Sequence, residues 1–317
     1  MHHGVVPEYI AKGLLALQQR IQAAGIPSSK IDETLNIATW NIREFGKKPR
    51  SEAAIHYLAE VLGQFDLIGI VELRDNLGDL QRVLKILGPY WRAVYSDMIP
   101  DAGGNRERVA YVYDKRAVTF NGLAAEANEP RQRKGFEYLP TKSFWRSPYV
   151  ASFKAGSFDF VALTTHIRWG RSLKARKEEL EMLADWIEAK RRDKFGEDQD
   201  IIVMGDFNIP ARGDEFFQAI TRHKLQVPTA LLGLEHGSNL EKNKRYDQIL
   251  HQPFYEAGFT NAAGVLDFYI DDAHIRELFP GRMTKTKFTY QMSDHLPLWM
   301  QINTDMDGFK LQQLIQH

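Results

Sequence analysis

Apolar residues recur along this chain with two different periods. Over "PEYIAKGLLALQQRIQAA" (residues 7–24), Ile10, Leu14, Leu17 and Ile21 are spaced by four, three and four, between Pro7 and Gly25. That spacing predicts an amphipathic helix with a proline at its start and a glycine just past its end. The same period predicts helices over 51–63, where Ser51 can cap and Ile55, Leu58 and Leu62 share a face, and over 172–190, where Ser172 can cap and Leu173, Leu180, Leu183 and Ile187 share another. Short helices are expected after Asp79 and Asp214. The other apolar stretches are brief and predict strands at 35–42, 67–72, 109–113, 148–154, 158–166, 201–206, 247–251 and 296–302. Several, such as "LIGIV" and "IIVM", are apolar without interruption, which calls for sheets covered on both faces.

After the first helix, "GIPSSKIDET" reads as a linker. It divides the chain into a helical extension and linker over 1–30, one principal catalytic-size domain over 31–303 and a C-terminal tail over 304–317. Within the body no later stretch has the composition of a domain linker, and neither repeats nor low-complexity segments occur. "DMDG" (305–308) superficially suggests a calcium loop, but it lacks the remaining ligands of such a loop and reads as a plain turn.

Composition narrows the classes of function. With 317 residues, 44% of them hydrophobic, the chain can bury a sizeable core. Forty-one basic residues balance forty-one acidic ones, so the whole surface cannot serve as a basic glove for nucleic acid. An anionic partner must be held locally or through a bound cation. The absence of cysteine removes disulfides, thiolate zinc sites and cysteine nucleophiles together. No apolar stretch approaches the ~20 residues of a membrane span, and no secretory leader is visible. A cytoplasmic location is therefore favoured, with a secreted or periplasmic one open if a leader has been trimmed; a monomer is expected.

The polar residues that finish the apolar strands carry the chemistry. "LNIATW" runs into Asn41, "LIGIV" into Glu72, "FVALTT" into His166, and "IIVMG" into Asp206 followed by Asn208. "SDH", with Asp294 and His295, stands immediately before the strand "LPLWMQI". If that last strand is antiparallel to its neighbours, its start lies at the edge where the others end, and all seven side chains gather on one rim. Residues two apart in extended chain share a face at ~6.5 to 7 Å, so Asp206 and Asn208 can hold different atoms of one substrate, and Glu72 and Arg74 stand in the same relation. Singly, each of these is an ordinary polar turn, cap or surface ion pair; together in this order they form a candidate site.

In order along residues 35–302, these stretches resemble the endonuclease/exonuclease/phosphatase superfamily. "TWNIR" is similar to the family's first motif with its Asn41, "VELRD" to the metal-binding motif with Glu72, and "RERVAYVYD" to the segment whose Glu107 orients a histidine. "FWRSPYVASF" resembles the motif that supplies a phosphate-contacting Arg146, and "TTHIRWG" carries His166. "GDFN" resembles the Asp206 and Asn208 motif, "YDQIL" offers Asp247 to orient the second histidine, and "SDHLPL" supplies Asp294 and His295. Glu72 followed by Arg74, and Arg146 before "SP", resemble the deoxyribonuclease I-like branch. Two departures stand out. The interval between "GGN" and "RER" is shorter than in that branch, leaving no counterpart of the tyrosine that reads the DNA minor groove, and that branch's disulfide is impossible here.

The resemblance implies an α/β fold: a four-layer α/β/β/α sandwich with two mixed β-sheets packed face to face. It implies a divalent-metal-dependent phosphodiesterase, with Mg²⁺ first and Mn²⁺ or Ca²⁺ as alternatives, held by Glu72, Asn41 and Asp294. His166 paired with Glu107 and His295 paired with Asp247 would handle protons, Asp206 would orient or deprotonate water, and Asn208 would hydrogen-bond a phosphoryl oxygen. Arg74, Arg146, Arg168 and Trp169 would contact the substrate. The expected substrate is nucleic acid, DNA or also RNA, cut with little sequence preference. Local basic segments, "RQRK" (131–134), "RWGRSLKARK" (168–177) and "KNKR" (242–245), fit that expectation. Two other readings stay open at this point: the same chemistry on an inositol phosphate or phospholipid head group, and an inactive binding module that kept the fold.

Overall fold

In the computed structural model, which describes residues 1–98, 106–130, 133–139, 143–196, 198–252 and 258–316, helix α1 (Glu8–Ala23) precedes strand β1 (Thr34–Phe45), α2 (Glu52–Leu62), β2 (Leu67–Leu73) and α3 (Gly78–Leu87). There follow β3 (Trp91–Tyr95), β4 (Arg108–Asp114), β5 (Thr119–Glu126), the short pair β6 (Arg133–Lys134) and β7 (Glu137–Tyr138), β8 (Tyr149–Ala155) and β9 (Phe158–His166). The rest is α4 (Leu173–Arg191), β10 (Ile201–Asp206), α5 (Glu215–Thr221), α6 (Thr229–Leu232), β11 (Asp247–Leu250), β12 (Phe259–Val265), α7 (Ile275–Leu278), α8 (Lys285–Gln291), β13 (Leu298–Asn303) and α9 (Asp307–Gln316). The "GGN" segment and the first half of "RQRK" lie outside the described residues.

Alternation in β1 divides the core. Leu35 and Ile37 face one hydrophobic cluster, while Ala38, Trp40 and Ile42 face another, as a two-residue period requires. One six-stranded sheet runs β12-β13-β1-β2-β4-β3 and one five-stranded sheet runs β11-β10-β9-β8-β5. Both are mixed: β1 is parallel to β2 and β9 to β10, and the remaining pairs are antiparallel. The two sheets pack face to face. They approach closely at Gly69 of β2, where a Cβ would stand 2.5 Å from Thr164 Oγ1 on β9 and 3.1 Å from Met204 Sδ on β10. Tyr111 of β4 stacks on Tyr149 of β8 across the same interface, with ring centroids 5.8 Å apart.

Helices close the outer faces. Leu180, Leu183 and Ile187 of α4 and Phe216 and Ile220 of α5 cover the five-stranded sheet, and α1, α2 and α3 lie over the six-stranded one. The expected caps are in place: Ser51, Ser172 and Asp214 accept from the backbone N–H groups of Ala54, Ala175 and Phe217. The sandwich is thus the α/β/β/α form, with helices on both outer faces. The N-terminal extension is part of this packing. Ile10, Leu14, Leu17 and Ile21 of α1 join the helix-side core, and buried Arg20 donates to the carbonyls of Phe268 and His274 and to Glu277.

Five strands escaped the pattern of apolar runs: the two-residue pair β6 and β7, and β3, β5 and β12 of the two large sheets. Each of these last three is an edge of its sheet. An edge strand is half solvated, so "TFNGLAAE" and "FTNAAGV" need no continuous apolar run. The C-terminal tail is also structured: Asp307 and Gly308 of "DMDG" begin α9 rather than completing a plain turn, and buried Met306 donates its N–H to Ser157.

Gly205 shows how tightly the fold constrains the chain next to the rim. Its φ is +135°, and a Cβ there would lie 2.0 Å from the carbonyl oxygen of Thr165. Gly205→Ala is therefore expected to lower unfolding free energy by at least about 2 kcal/mol, read as a drop in the urea midpoint at unchanged slope. A midpoint equal to wild type would contradict this packing.

Candidate active site

Strand direction puts eight chemical groups at one edge. The parallel pairs β1–β2 and β9–β10 end there, with Asn41 beside Val71 and Asp206 beside His166 in register. The antiparallel strands begin there: Asp247 of β11 faces Asp206, Arg108 of β4 faces Leu73, and Leu298 of β13 faces Thr39. Tyr149 of β8 faces Thr164, which brings Arg146, just upstream, to the same edge.

Asp206 is the hub. It is almost fully buried, and its Oδ2 accepts from Asn41 Nδ2 at 3.0 Å while His166 Nε2 and His295 Nε2 stand 3.7 and 3.8 Å away. Each imidazole is backed by a carboxylate. His166 Nδ1 is 2.8 Å from Glu107 Oε2, and His295 Nδ1 is 2.8 Å from Asp247 Oδ2. Glu107 is held in turn by Arg146, at 2.8 Å from Nε and 3.1 Å from Nη2. Ser238 donates to Asp247, and Trp40 Nε1 donates to the carbonyl of His295 at 2.8 Å, so the second dyad is anchored from both ends.

Glu72 reaches this group through a break in the pleat. Leu67 and Val71 face the second sheet while Ile68 and Ile70 face the helices, so a regular strand would aim residue 72 at the helix layer. Instead Glu72 takes φ +62° at a register shift, and its Oε1 accepts from Asn41 Nδ2 at 3.1 Å. Its Oε2 accepts from the Glu44 N–H at 2.8 Å. Asn208 is a second left-handed residue, φ +53°; its N–H bonds Asp206 Oδ1 and its amide donates to the carbonyl of Ile167. Two such residues cost about 1 to 3 kcal/mol each, and they persist because the surrounding hydrogen bonds hold them.

The electrostatics follow from this crowding. Burial alone would push the Asp206 carboxyl up, but His295 and His166, with the donors Asn41 and Asn208, hold it below the usual carboxylate range. Burial and Arg146 oppose the charge on His166, yet Glu107 and Asp206 outweigh them and raise it. His295, against burial, is pushed up to about 10 by Asp247 and Asp206. Without a cation in the cleft the His295 imidazole therefore keeps its proton at neutral pH, and His166 holds its proton more firmly than a free imidazole does.

The donor set fits a divalent cation. Asn41 Oδ1 is buried beside Glu72 and Asp247 Oδ1 is buried beside His295, and neither meets a hydrogen-bond donor among the described residues. Ligand atoms of Asp206, Asp247 and His295 lie within 4.8 Å of one another. Oxygen-rich groupings of this kind suit Mg²⁺, Mn²⁺ or Ca²⁺.

Other expected residues are placed less centrally. Asp294 is 43% exposed and pairs with Arg43 at 3.4 Å. Arg74 is nearly buried, with Nη1 3.7 Å from Glu44. Arg168 lays its guanidinium over the ring of Trp145 at 4.6 Å, and Trp169 is 61% exposed. "KNKR" is largely structural, Lys242 being paired with Asp267 and Arg245 bonded to backbone carbonyls. Ser293, Ser238, Tyr246 and Glu44 were not singled out beforehand. Ser293 accepts from the N–H groups of Arg43 and His295 and donates to the Asn41 carbonyl at 2.6 Å. The available signal was position: Ser293 opens "SDH" and Tyr246 opens "YDQIL".

Comparison with known proteins bears on family and fold. The model of the Endonuclease/Exonuclease/phosphatase family matches residues 38–271. A deoxyribonuclease of Thioalkalivibrio sp. (strain K90mix) is 30% identical over 205 residues, covering 60% of this chain and 50% of that protein. Deoxyribonuclease-1 of Oryctolagus cuniculus is 28% identical over 206 residues, covering 62% of this chain and 65% of that protein. The chain thus matches about half of the bacterial relative and just under two thirds of the rabbit one. The crystal structure of an endonuclease/exonuclease/phosphatase family protein from Bacteroides thetaiotaomicron superposes with a TM-score of 0.54 at 17% identity, over 86% of this chain and 96% of that one, which establishes likeness of fold. Among the described residues no helix is long and apolar enough to cross a membrane.

The raised histidine carries a pH signature. In chelator, His295 contributes stability that is complete below about pH 6.5 and is lost as pH rises toward about 10. Asp206 contributes in the opposite sense, its stabilisation disappearing as pH falls through its depressed value. The wild-type melting temperature in chelator should therefore fall more steeply than that of His295→Gln over the alkaline window. Parallel slopes would remove the charged imidazole from the account.

Proposed function

The chain belongs to the Endonuclease/Exonuclease/phosphatase family, and we propose that it is a divalent-metal-dependent phosphodiesterase acting on nucleic acid, DNA first and RNA second. The observation that carries this reading is the convergence of two carboxylate-backed imidazoles on one buried carboxylate, His166 and His295 each within 4 Å of Asp206. That arrangement can hold a tetrahedral phosphoryl group from two sides while a third group handles the attacking water. The two deoxyribonuclease relatives support a nucleic acid substrate.

Glu72 and Asn41 would hold the cation, with Asp206, Asp247 and His295 offering a second grouping. When bound, the cation neutralises charge on the phosphoryl oxygens and eases the loss of a proton from water. The chain supplies the rest. Asp206, kept ionised, accepts the proton of the attacking water. His166 and His295 donate hydrogen bonds to the non-bridging oxygens and a proton to the departing alkoxide, their tautomers fixed by Glu107 and Asp247. Arg146 Nη1, buried and without a protein acceptor among the described residues, is available to a phosphate oxygen. Asn208 orients Asp206 through its backbone N–H and has its second amide hydrogen left for substrate.

Nicking of supercoiled plasmid tests this directly. Activity should require Mg²⁺ or Mn²⁺, disappear in chelator, and fall by roughly 10²- to 10⁴-fold in Glu72→Gln and His295→Ala with unchanged far-ultraviolet circular dichroism. Phosphate release from inositol phosphates without nicking would transfer the chemistry to another substrate. Cleavage indifferent to chelation would contradict the mechanism.

A further inference from the structure

Two tryptophans near the site residues are unusually exposed for their size: Trp145 at 49% and Trp169 at 61%. Each sits close in sequence to a site residue, Trp145 before Arg146 and Trp169 shortly after His166. A run of ring contacts leads from the site to solvent. His295 lies 5.9 Å from Tyr246, and Tyr246 meets Trp169 edge-on at 5.8 Å. Each indole is braced by a guanidinium, Trp145 by Arg168 at 4.6 Å and Trp169 by Arg176 at 4.4 Å.

The loops that carry these rings are anchored. Glu179 of α4 is 5% exposed, and its two carboxylate oxygens accept from the backbone N–H of Trp145 at 2.9 Å and of Arg168 at 3.3 Å. One buried side chain thus ties both tryptophan-bearing loops to one helix. One turn earlier, buried Arg176 donates to the carbonyls of Gly170 and Asn208, joining the Trp169 loop to the Asp206–Asn208 segment. Mobile surface aromatics need no such anchoring; preorganised contact surfaces do.

We propose that Trp145 and Trp169 form a stacking platform for unpaired nucleobases beside the scissile phosphate, so that single-stranded nucleic acid is the preferred substrate. This rests on the phosphodiesterase reading above and names its substrate class. In a duplex the base faces are covered by their neighbours and only the edges reach the grooves, where an indole can offer a single N–H. An unpaired base presents a free face, and stacking on an aromatic ring is tolerant of sequence. Arg171 and Lys174, next along the chain, are exposed cations that further backbone phosphates can meet.

The test compares initial rates in Mg²⁺ on a fluorescein-labelled oligonucleotide, single-stranded and annealed to its complement, for wild type, Trp145→Ala, Trp169→Ala and the double variant. Wild type should cut the single strand roughly ten-fold faster or more. Each substitution should raise KM on the single strand by about 5- to 150-fold, with a smaller effect on the duplex, and Trp→Phe should recover part of the loss. A duplex cut as fast as the single strand, or an unchanged preference in the double variant, overturns the platform. Tryptophan emission titrated with oligo(dT) in chelator gives a readout without hydrolysis. Quenching by oligo(dT) with no cleavage of any strand keeps the platform and discards the hydrolase; cleavage with no strand preference does the reverse. Emission that responds to phosphatidylserine/phosphatidylcholine vesicles and not to oligo(dT) also overturns the proposal, assigning the rings to a membrane surface. Glu179→Gln, which keeps the shape and one of the two acceptor oxygens, should lose less of the preference than Glu179→Ala, and equal losses would remove Glu179 from its positioning role.

Discussion

A carboxylate cut off from water stays ionised only when donors and positive charge surround it, and Asp206 is the group on which this molecule places that demand. Asn41 comes from the neighbouring sheet, and the imidazoles come from β9 and from the turn before β13. No single element could supply them. The two sheets must meet face to face, and they must meet with one edge in common, for the charge on Asp206 to be tolerated. The close approach at Gly69 and the stacked tyrosines are the packing that sets this distance.

Strand direction then does what sequence separation conceals. Residues 41, 72, 166 and 206 are delivered by strands that end at the rim, and residues 107, 146, 247 and 295 by strands that begin there. Regular strand geometry is insufficient at two points. Glu72 and Asn208 leave the β region for positive φ, and Gly205 occupies a conformation that no larger residue fits. Local strain concentrated beside the cleft is the structural counterpart of holding charged groups closer than a plain sheet allows.

Much of this was legible in the chain. A buried apolar run that ends in a carboxylate or an imidazole is a conflict between burial and charge, and such conflicts stand out against the pattern around them; hence Asn41, Glu72, His166, Asp206 and His295 could be named from the sequence. The two helix-face positions that matter most to the cleft wall could not. Arg176 and Glu179 fall among the polar residues of "LKARKEELEMLADWIEAKR", where helical period alone reads them as solvated, and only the arrival of two loops at that helix buries them. The edge strands β3, β5 and β12 were missed because their half-solvated faces carry no continuous apolar signal. Asp294 was legible as a neighbour of His295, but its side chain turns to Arg43, a choice made by tertiary contact.

The proposed chemistry requires one phosphate and one divalent cation to share the cleft bounded by Glu72, Asp206 and His295. Crystals soaked with Mn²⁺ and a phosphorothioate oligonucleotide test it most directly, since anomalous scattering locates both the metal and the sulfur. Manganese is expected at Glu72 and Asn41 or within the Asp206, Asp247 and His295 grouping, with the phosphorothioate between His166 and His295. Manganese and phosphorothioate bound on separate surfaces, with Asp206 touching neither, would contradict it.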